Sequence, residues 1–454
     1  MEPNNLGTLV IQLERYKENK VIRNSFYGVV QFILPAVFLL VFTPFFILKM
    51  GTARYGLWML ATSALGLMGI AEFGLNTMVS KFVAEFVETK DTVALSEVVS
   101  IGLIAYLLLG FGLIVPLYVF SPSLAGIFKP SEAVSVDEIG LVIRIISLGF
   151  IPLLLRSGAM AIPIGLQQFQ IPVAVNVGNQ ILSYIAGLLV VLLGGTITQV
   201  VMSTVVVLWV AALGSLLIAW RILQPLKLKF RVACSIKFLR RMSSFTLMSG
   251  ISGLGSQIFG FADRLAVGVV LGMDAVAYYT VIISVATKIL QLSSSLTGAL
   301  MPAVSSWVAC GDIRRVRGYF FNAIMVLFAL DFVIASVMLS ISRTLLYWWM
   351  GDAFTAHVLV QFRILIVIYC LISLNTPAFF VAYGIGRPGI NALTAVLGGC
   401  LTVGLIFMWG ETFGLLGAAI ANSGYLITLV ITGYVYWRVN SMGRQRPLAH
   451  RSNS

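Results

Sequence analysis

The sequence predicts an all-α polytopic membrane protein, with twelve transmembrane helices in two pseudo-symmetric six-helix bundles around a central cavity. Three observations predict it. Of 454 residues, 59% are apolar and 10% charged, and the mean hydropathy is +0.98. Soluble domains carry roughly a quarter charged residues, so these charges cannot cover a water-exposed surface of this size. The stretch Ser157 to Trp220 runs 64 residues without Asp, Glu, Lys or Arg, as only lipid-embedded hairpins do. Matched motifs also recur at a nearly constant offset on either side of a central basic stretch. A soluble enzyme is excluded.

The segment 1–24 is expected to stay in the cytosol, because Glu14, Arg15, Lys17, Glu18 and Lys20 precede any apolar core and no cleavable signal is readable. Crossing the roughly 30 Å hydrocarbon layer takes about 20 apolar residues in a helix, since lipid leaves every backbone amide dependent on an internal partner. Between Arg23 and Lys49 lie 25 residues without a charge. The same reading places spans near 25–48, 56–80, 98–121, 139–161, 170–192 and 198–220, then near 243–271, 276–301, 319–342, 358–382, 388–409 and 413–437. Gly194 and Gly195 mark the turn inside the charge-free stretch. The domains implied are an N-terminal bundle (25–220), a basic cytoplasmic linker (221–242), a C-terminal bundle (243–437) and a basic tail (438–454).

Orientation follows from the basic residues. The segments expected inside carry 22 Lys and Arg against six outside, and Arg264 and Lys288 fall within spans. That bias puts both termini in the cytosol and explains most of the +13 formal charge. Seven basic residues between Arg221 and Arg241 therefore read as an anchor for anionic lipid headgroups rather than a nucleic-acid patch. Cys234, Cys310, Cys370 and Cys400 are far apart, and His357 and His450 stand alone, so no disulfide frame or metal site is readable. The longest loops, near 122–138 and 343–357, are too short for a catalytic domain. No phosphate loop supports ATP hydrolysis, which leaves a proton or sodium gradient, the membrane potential or the substrate's own gradient as the driving force.

The two halves match. Gly51 to Gly56 and Gly272 to Ala277 end equivalent hairpin turns at an offset of 221, Gly165 and Gly384 at 219, and Trp220-Arg221 and Trp437-Arg438 at 217. An even number of spans per half makes the repeats parallel, enclosing a cavity that can open alternately to each side.

Ionisable groups in lipid are costly and normally face the bundle interior. Arg264 lies eight residues before Gly272 and Lys288 twelve beyond Val276, so both sit about 12–18 Å below the outer helix ends. Together they form a candidate cradle for one anion. Arg156 in the fourth span and Lys81 near the inner end of the second are further candidates for a cationic cavity. Asp263, Glu72 and Asp331 are candidates for ion coupling or for plain counter-charge: Asp263 could neutralise Arg264 or Lys288, and Glu72 could hold Lys81.

The run Asn24-Ser25-Phe26-Tyr27-Gly28, then Gly51, Tyr55-Gly56 and Trp58, then Glu72-Phe73-Gly74-Leu75 with Lys81, resembles the start of Wzx-type polysaccharide flippases. These belong to the multidrug/oligosaccharidyl-lipid/polysaccharide (MOP) exporter superfamily. Asp263-Arg264, Pro302 to Ser305, Gly384 to Arg387 and Gly414 to Ile420 extend the resemblance over nearly the whole chain. It implies a MATE-like fold and transport of an undecaprenyl-diphosphate-linked oligosaccharide from the cytoplasmic to the outer leaflet of the bacterial inner membrane. Expected partners are that lipid-linked substrate, membrane lipids, and a polysaccharide polymerase with other assembly proteins, without a cofactor or nucleic acid. Glu72 stands where the family commonly has aspartate, and Lys81 where it has arginine. One alternative is a multidrug/cation antiporter, against which the first span's lack of acids argues. Another, a peptidoglycan-precursor flippase, usually has fourteen spans. A polysaccharide polymerase or ligase would need a large outer loop with Arg and His.

Overall fold

The computed structural model describes residues 34, 37–66, 72, 74–89, 91–166, 168–224, 242, 243, 246, 261–298 and 300–444. The segment 1–24, the Asn24 to Gly28 run, Pro35, Gly250, Gly253, Gly255, most of the basic linker and the end of the tail lie outside the described residues.

The N-terminal half comprises α1 (Val37–Met50), α2 (Thr52–Gly66), α3 (Leu75–Glu88), α4 (Thr92–Val119), α5 (Ser121–Ala125), α6 (Val136–Ser147), α7 (Phe150–Gly165), α8 (Gln170–Leu192) and α9 (Ile197–Leu223). The C-terminal half comprises α10 (described at 261–271), α11 (Met273–Thr297), α12 (Leu300–Ala309), α13 (Ile313–Met350), α14 (Asp352–Ser373), α15 (Thr376–Gly384), α16 (Pro388–Phe413), α17 (Leu415–Ala421), a 3-10 turn (Asn422–Leu429) and α18 (Val430–Arg444). Nine helical stretches among the described residues are long and apolar enough to cross a membrane. The other three expected spans, 25–48, 56–80 and 243–271, are described in part, as α1, α2 with α3, and α10. Among the described residues the extended backbone amounts to one bridge, Ser131 to Val134.

The helix starts are written locally. Asp91 caps α4 through the Ala94 amide (3.0 Å), Ser135 caps α6 through Glu138 (3.2 Å), and Asp312 caps α13 through Arg315 (3.1 Å). Each side chain satisfies an amide that has no partner inside its helix. The expected loop near 343–357 is replaced by a single residue: Gly351, at φ 86°, separates α13 from α14. Arg343 suggested an early exit from the membrane. Instead α13 continues for 38 residues, about 57 Å, so both ends outrun the hydrocarbon while every backbone group stays paired. The expected loop near 122–138 likewise contains α5 and the Ser131 bridge.

Equivalent contacts recur in the two halves. Arg144 Nε on α6 donates to Ser121 Oγ at 2.7 Å, and Arg363 Nε on α14 donates to Ser342 Oγ at 2.8 Å. Their positions differ by 219 and 221, as the sequence motifs do.

The halves meet tightly where Gly51 and Gly272, both at positive φ, start α2 and α11. At Gly56 a Cβ would stand 1.8 Å from the Met273 carbonyl oxygen, so the two helices touch backbone to backbone. The Thr52 hydroxyl donates to the Asp274 carboxylate beside this contact, and Lys129 pairs with Glu411 at 3.3 Å. The largest buried apolar cluster runs through the same region, joining Tyr55, Leu57 and Trp58 to Val276, Ile282 and Phe362.

Replacing Gly56 by Ala should destabilise the protein by about 1–3 kcal/mol or more, the cost of overpacking. Gly214→Ala, where nothing lies within 4 Å, is the control. Thermal unfolding in detergent should show a fall for the first and no change for the second.

Candidate functional site

Between the halves lies a cavity of about 720 Å³, within the roughly 300–1,000 Å³ range of small-molecule sites. It begins two turns along α2 and α11 from the Gly56 contact. Its walls come from α2, α7, α8 and α9 on one side and α10, α11 and α14 on the other. Four charged residues line it: Arg156, Asp263, Arg264 and Lys288. The remaining surface mixes neutral polar groups such as Thr62, Asn179, Gln180 and Ser183 with the rings of Trp58 and Tyr184.

Asp263 is 1% exposed and committed to structure. Its carboxylate accepts from the Tyr279 hydroxyl (2.7 Å) and the Arg264 backbone amide (2.9 Å). Asn422 Nδ2 donates to the Tyr279 oxygen at 2.7 Å and to the Ala418 carbonyl at 3.0 Å, and Tyr369 completes the chain to Asn422 Oδ1. Asp263 is therefore the first link of a buried network that ties α10 to α11, α14 and α17. The salt bridges among the described residues do not include one from Asp263 to Arg264 or Lys288. Hydroxyl and amide donors solvate the carboxylate and leave the two cations directed at the cavity.

Each cation is held by neutral groups. The Arg264 guanidinium lies 5.7 Å from the Phe261 ring centroid, and its buried Nε has no hydrogen-bond partner. Arg156 Nη1 donates to Asn176 Oδ1 at 2.7 Å, and its Nε is also buried without a partner. Lys288 Nζ donates to Gln291 Oε1 at 3.0 Å. Three cations and one engaged acid give the lining a net charge of about +2, suited to an anion with planar or tetrahedral oxygens that can accept the unfilled guanidinium donors.

The other charged candidates lie outside this lining. Glu72 accepts from the Tyr106 hydroxyl at 3.0 Å and from the Ser157 hydroxyl, and Asn76 Nδ2 reaches the Ser157 carbonyl at 3.1 Å. That cluster fixes the turn of α7 that carries Arg156. Lys81 is exposed on α3, 5.1 Å from the Phe82 ring, rather than paired with Glu72 in a listed salt bridge. Asp331 is buried on α13 against α14, where it accepts from the Ser373 hydroxyl.

Sequence reasoning from ionisable residues alone passed over Tyr279, Asn422, Asn176 and Gln291. Neutral amides inside spans are also expensive in lipid, and attention to Asn176, Asn179 and Asn422 within apolar runs would have found them.

A family model described as "Polysaccharide biosynthesis protein" matches residues 19–308. A Shigella flexneri protein named "Putative O-antigen transporter" is 22% identical over 427 residues, spanning 93% of this chain and 99% of that protein. The Bacillus subtilis "Uncharacterized membrane protein EpsK" is 21% identical over 413 residues, 89% of this chain and 79% of that one. Among solved structures, an inward-facing multidrug resistance MATE family transporter of the MOP superfamily aligns with a TM-score of 0.70 at 16% identity, over 92% of this chain and 99% of that chain. At that identity the likeness is one of fold, and the fold is MATE-like.

Tyr279→Phe removes both the donor to Asp263 and the acceptor for Asn422, which should cost about 1–3 kcal/mol. The loss on combining it with Asn422→Ala should be clearly smaller than the sum of the two, as one network requires. Thermal unfolding of the four proteins checks this; additive losses would mean that the two side chains act separately.

Proposed function

Because the chain belongs to the polysaccharide biosynthesis protein family, we propose that this multi-pass membrane protein is a transporter, not an enzyme, that flips a polysaccharide building block. Its substrate is an oligosaccharide repeat unit on undecaprenyl diphosphate, carried by alternating access across the bacterial inner membrane for surface polysaccharide assembly. The observation that carries this reading is the cavity with Arg156, Arg264 and Lys288 on its walls and its one acid engaged by Tyr279. A diphosphate cannot be drawn through hydrocarbon unpaired, and guanidinium and ammonium groups at mid-depth supply charge-assisted hydrogen bonds to it. The amides and hydroxyls of Asn179, Gln180, Ser183 and Thr62 suit sugar hydroxyls, and Trp58 and Tyr184 offer flat faces for sugar rings. The prenyl tail stays in lipid between the halves.

The moving units are residues 25–220 and 243–437, joined by the basic stretch 221–242. The paired Arg–Ser contacts at matched offsets support that division. With both termini in the cytosol, the Gly56 contact is the outer seal and must part to release the sugar outward. The polymerase and other assembly proteins receive the flipped unit there. A drug/cation antiporter is disfavoured by the lining itself, whose net positive charge repels cations.

Arg264→Ala should abolish surface polysaccharide while leaving the protein in the membrane, and Lys288→Ala should reduce it. Each lost charged hydrogen bond costs about 1.5–3 kcal/mol, or roughly ten- to a hundredfold in affinity. Immunoblots of membranes and of surface polysaccharide measure both. Unchanged polysaccharide in the Arg264 variant would refute the assignment.

A further inference from the structure

The cavity is not the only place where a charge is buried. Asp331 lies near the middle of α13, about 27 Å from either end, and is 3% exposed. Its neighbours Phe328 and Phe332 on the same helix are exposed. The carboxyl is turned inward, into a cluster with Ser293 of α11 and Ser373 of α14, both 0% exposed. The Ser373 hydroxyl reaches Asp331 Oδ2 and also the Cys370 carbonyl, at 2.7 Å. One hydroxyl proton thus serves two acceptors. Asp331 Oδ1 has no hydrogen-bond partner, and neither has Ser293 Oγ beside it. An ionised carboxylate can accept about four hydrogen bonds, and here it shares a single donor in apolar surroundings. The titratable side chain next to it is the Cys370 thiol. On the packed helices, Lys288 and Tyr369 face the cavity and Arg363 is bound to Ser342.

The cluster has a counterpart in the other half. Ser293 corresponds to Glu72 at the offset of 221, so a carboxyl among hydroxyls recurs between equivalent spans, the acid having changed helix. There Tyr106 and Ser157 satisfy Glu72; at Asp331 the donors fall short.

We propose that Asp331 Oδ1, Ser293 Oγ and Ser373 Oγ form a site for one small monovalent cation, a proton or a sodium ion, separate from the anion-binding cavity. The chemistry is that of hard oxygen ligands around a single buried negative charge, in a space with no other charged neighbour. Two of the three ligands sit on helices that also line the cavity. Lys288 and Gln291 precede Ser293 on α11, and Tyr369 precedes Ser373 on α14 by about one turn. Cation occupancy therefore draws α11, α13 and α14 together and shifts the same helices that hold the transported anion. That is a differential interaction of the kind that couples two sites. The inference rests on the transport reading for its purpose, and the cation site itself does not require that reading.

The test uses the purified full-length protein in lipid nanodiscs without any transported substrate. Radioactive sodium binding and the infrared band of a protonated carboxyl are compared between wild type, Asp331→Asn and Ser293→Ala. If sodium is the ligand, wild type binds it saturably, added sodium removes the carboxylic-acid band that Asp331→Asn lacks, and Ser293→Ala weakens binding at least about threefold. If the proton is the ligand, that band disappears reversibly as pH rises and is indifferent to sodium. Either result supports the site. A wild type that neither binds sodium nor shows a titrating band missing from Asp331→Asn overturns it. Binding of farnesyl diphosphate, measured alongside in wild type and Arg264→Ala, reports separately on the anion cavity, so failure of one does not pass for failure of the other.

Discussion

The structure turns on how charge is kept alive inside an apolar solvent. A cation and an acid next to each other in sequence, Arg264 and Asp263, would ordinarily cancel, and a cancelled pair does nothing beyond packing. Here the acid is claimed by the Tyr279 hydroxyl and by a backbone amide, and Asn422 holds Tyr279 in turn. The guanidinium is left with a buried, unfilled Nε facing open space. The buried network is the reason the cavity is cationic, and the cationic cavity is what an anionic lipid headgroup needs.

The scaffold around it is built for two arrangements rather than one. Contacts between the halves concentrate at Gly56 and Met273, where the absence of a side chain lets backbones meet, and are finished by a hydroxyl and an ion pair at the rim. Such a seam is narrow, and its polar part can be exchanged for water. Each half is secured within itself by longer helices and by its own Arg–Ser clasp. Strength within units and economy between them is the pattern expected of bodies that rock against each other.

Much of this was legible in the sequence. The spans followed from charge-free runs, the repeat from offsets near 220, and the cations Arg156, Arg264 and Lys288 from their rarity in apolar surroundings. The boundaries were less legible where a charge stands at a helix end. Arg343 marked a loop that does not form, because α13 carries its backbone pairing out into the headgroups. The roles of the acids could not be read either. Asp263, Glu72 and Asp331 look alike as letters, and only the hydroxyls that converge on them from distant helices separate a solvated anchor from an under-donated carboxyl. Lys81 shows the same limit: its place on α3 was predictable, its exposure was not.

The central claim is that the three cavity cations meet the diphosphate of a lipid-linked substrate. A structure determined with undecaprenyl diphosphate bound in a nanodisc tests it most directly. The account predicts phosphate oxygens about 2.7–2.9 Å from the nitrogens of Arg264 or Lys288, with Asp263 still on Tyr279. A diphosphate seated elsewhere, or Arg264 closed onto Asp263 with the lipid present, would contradict it.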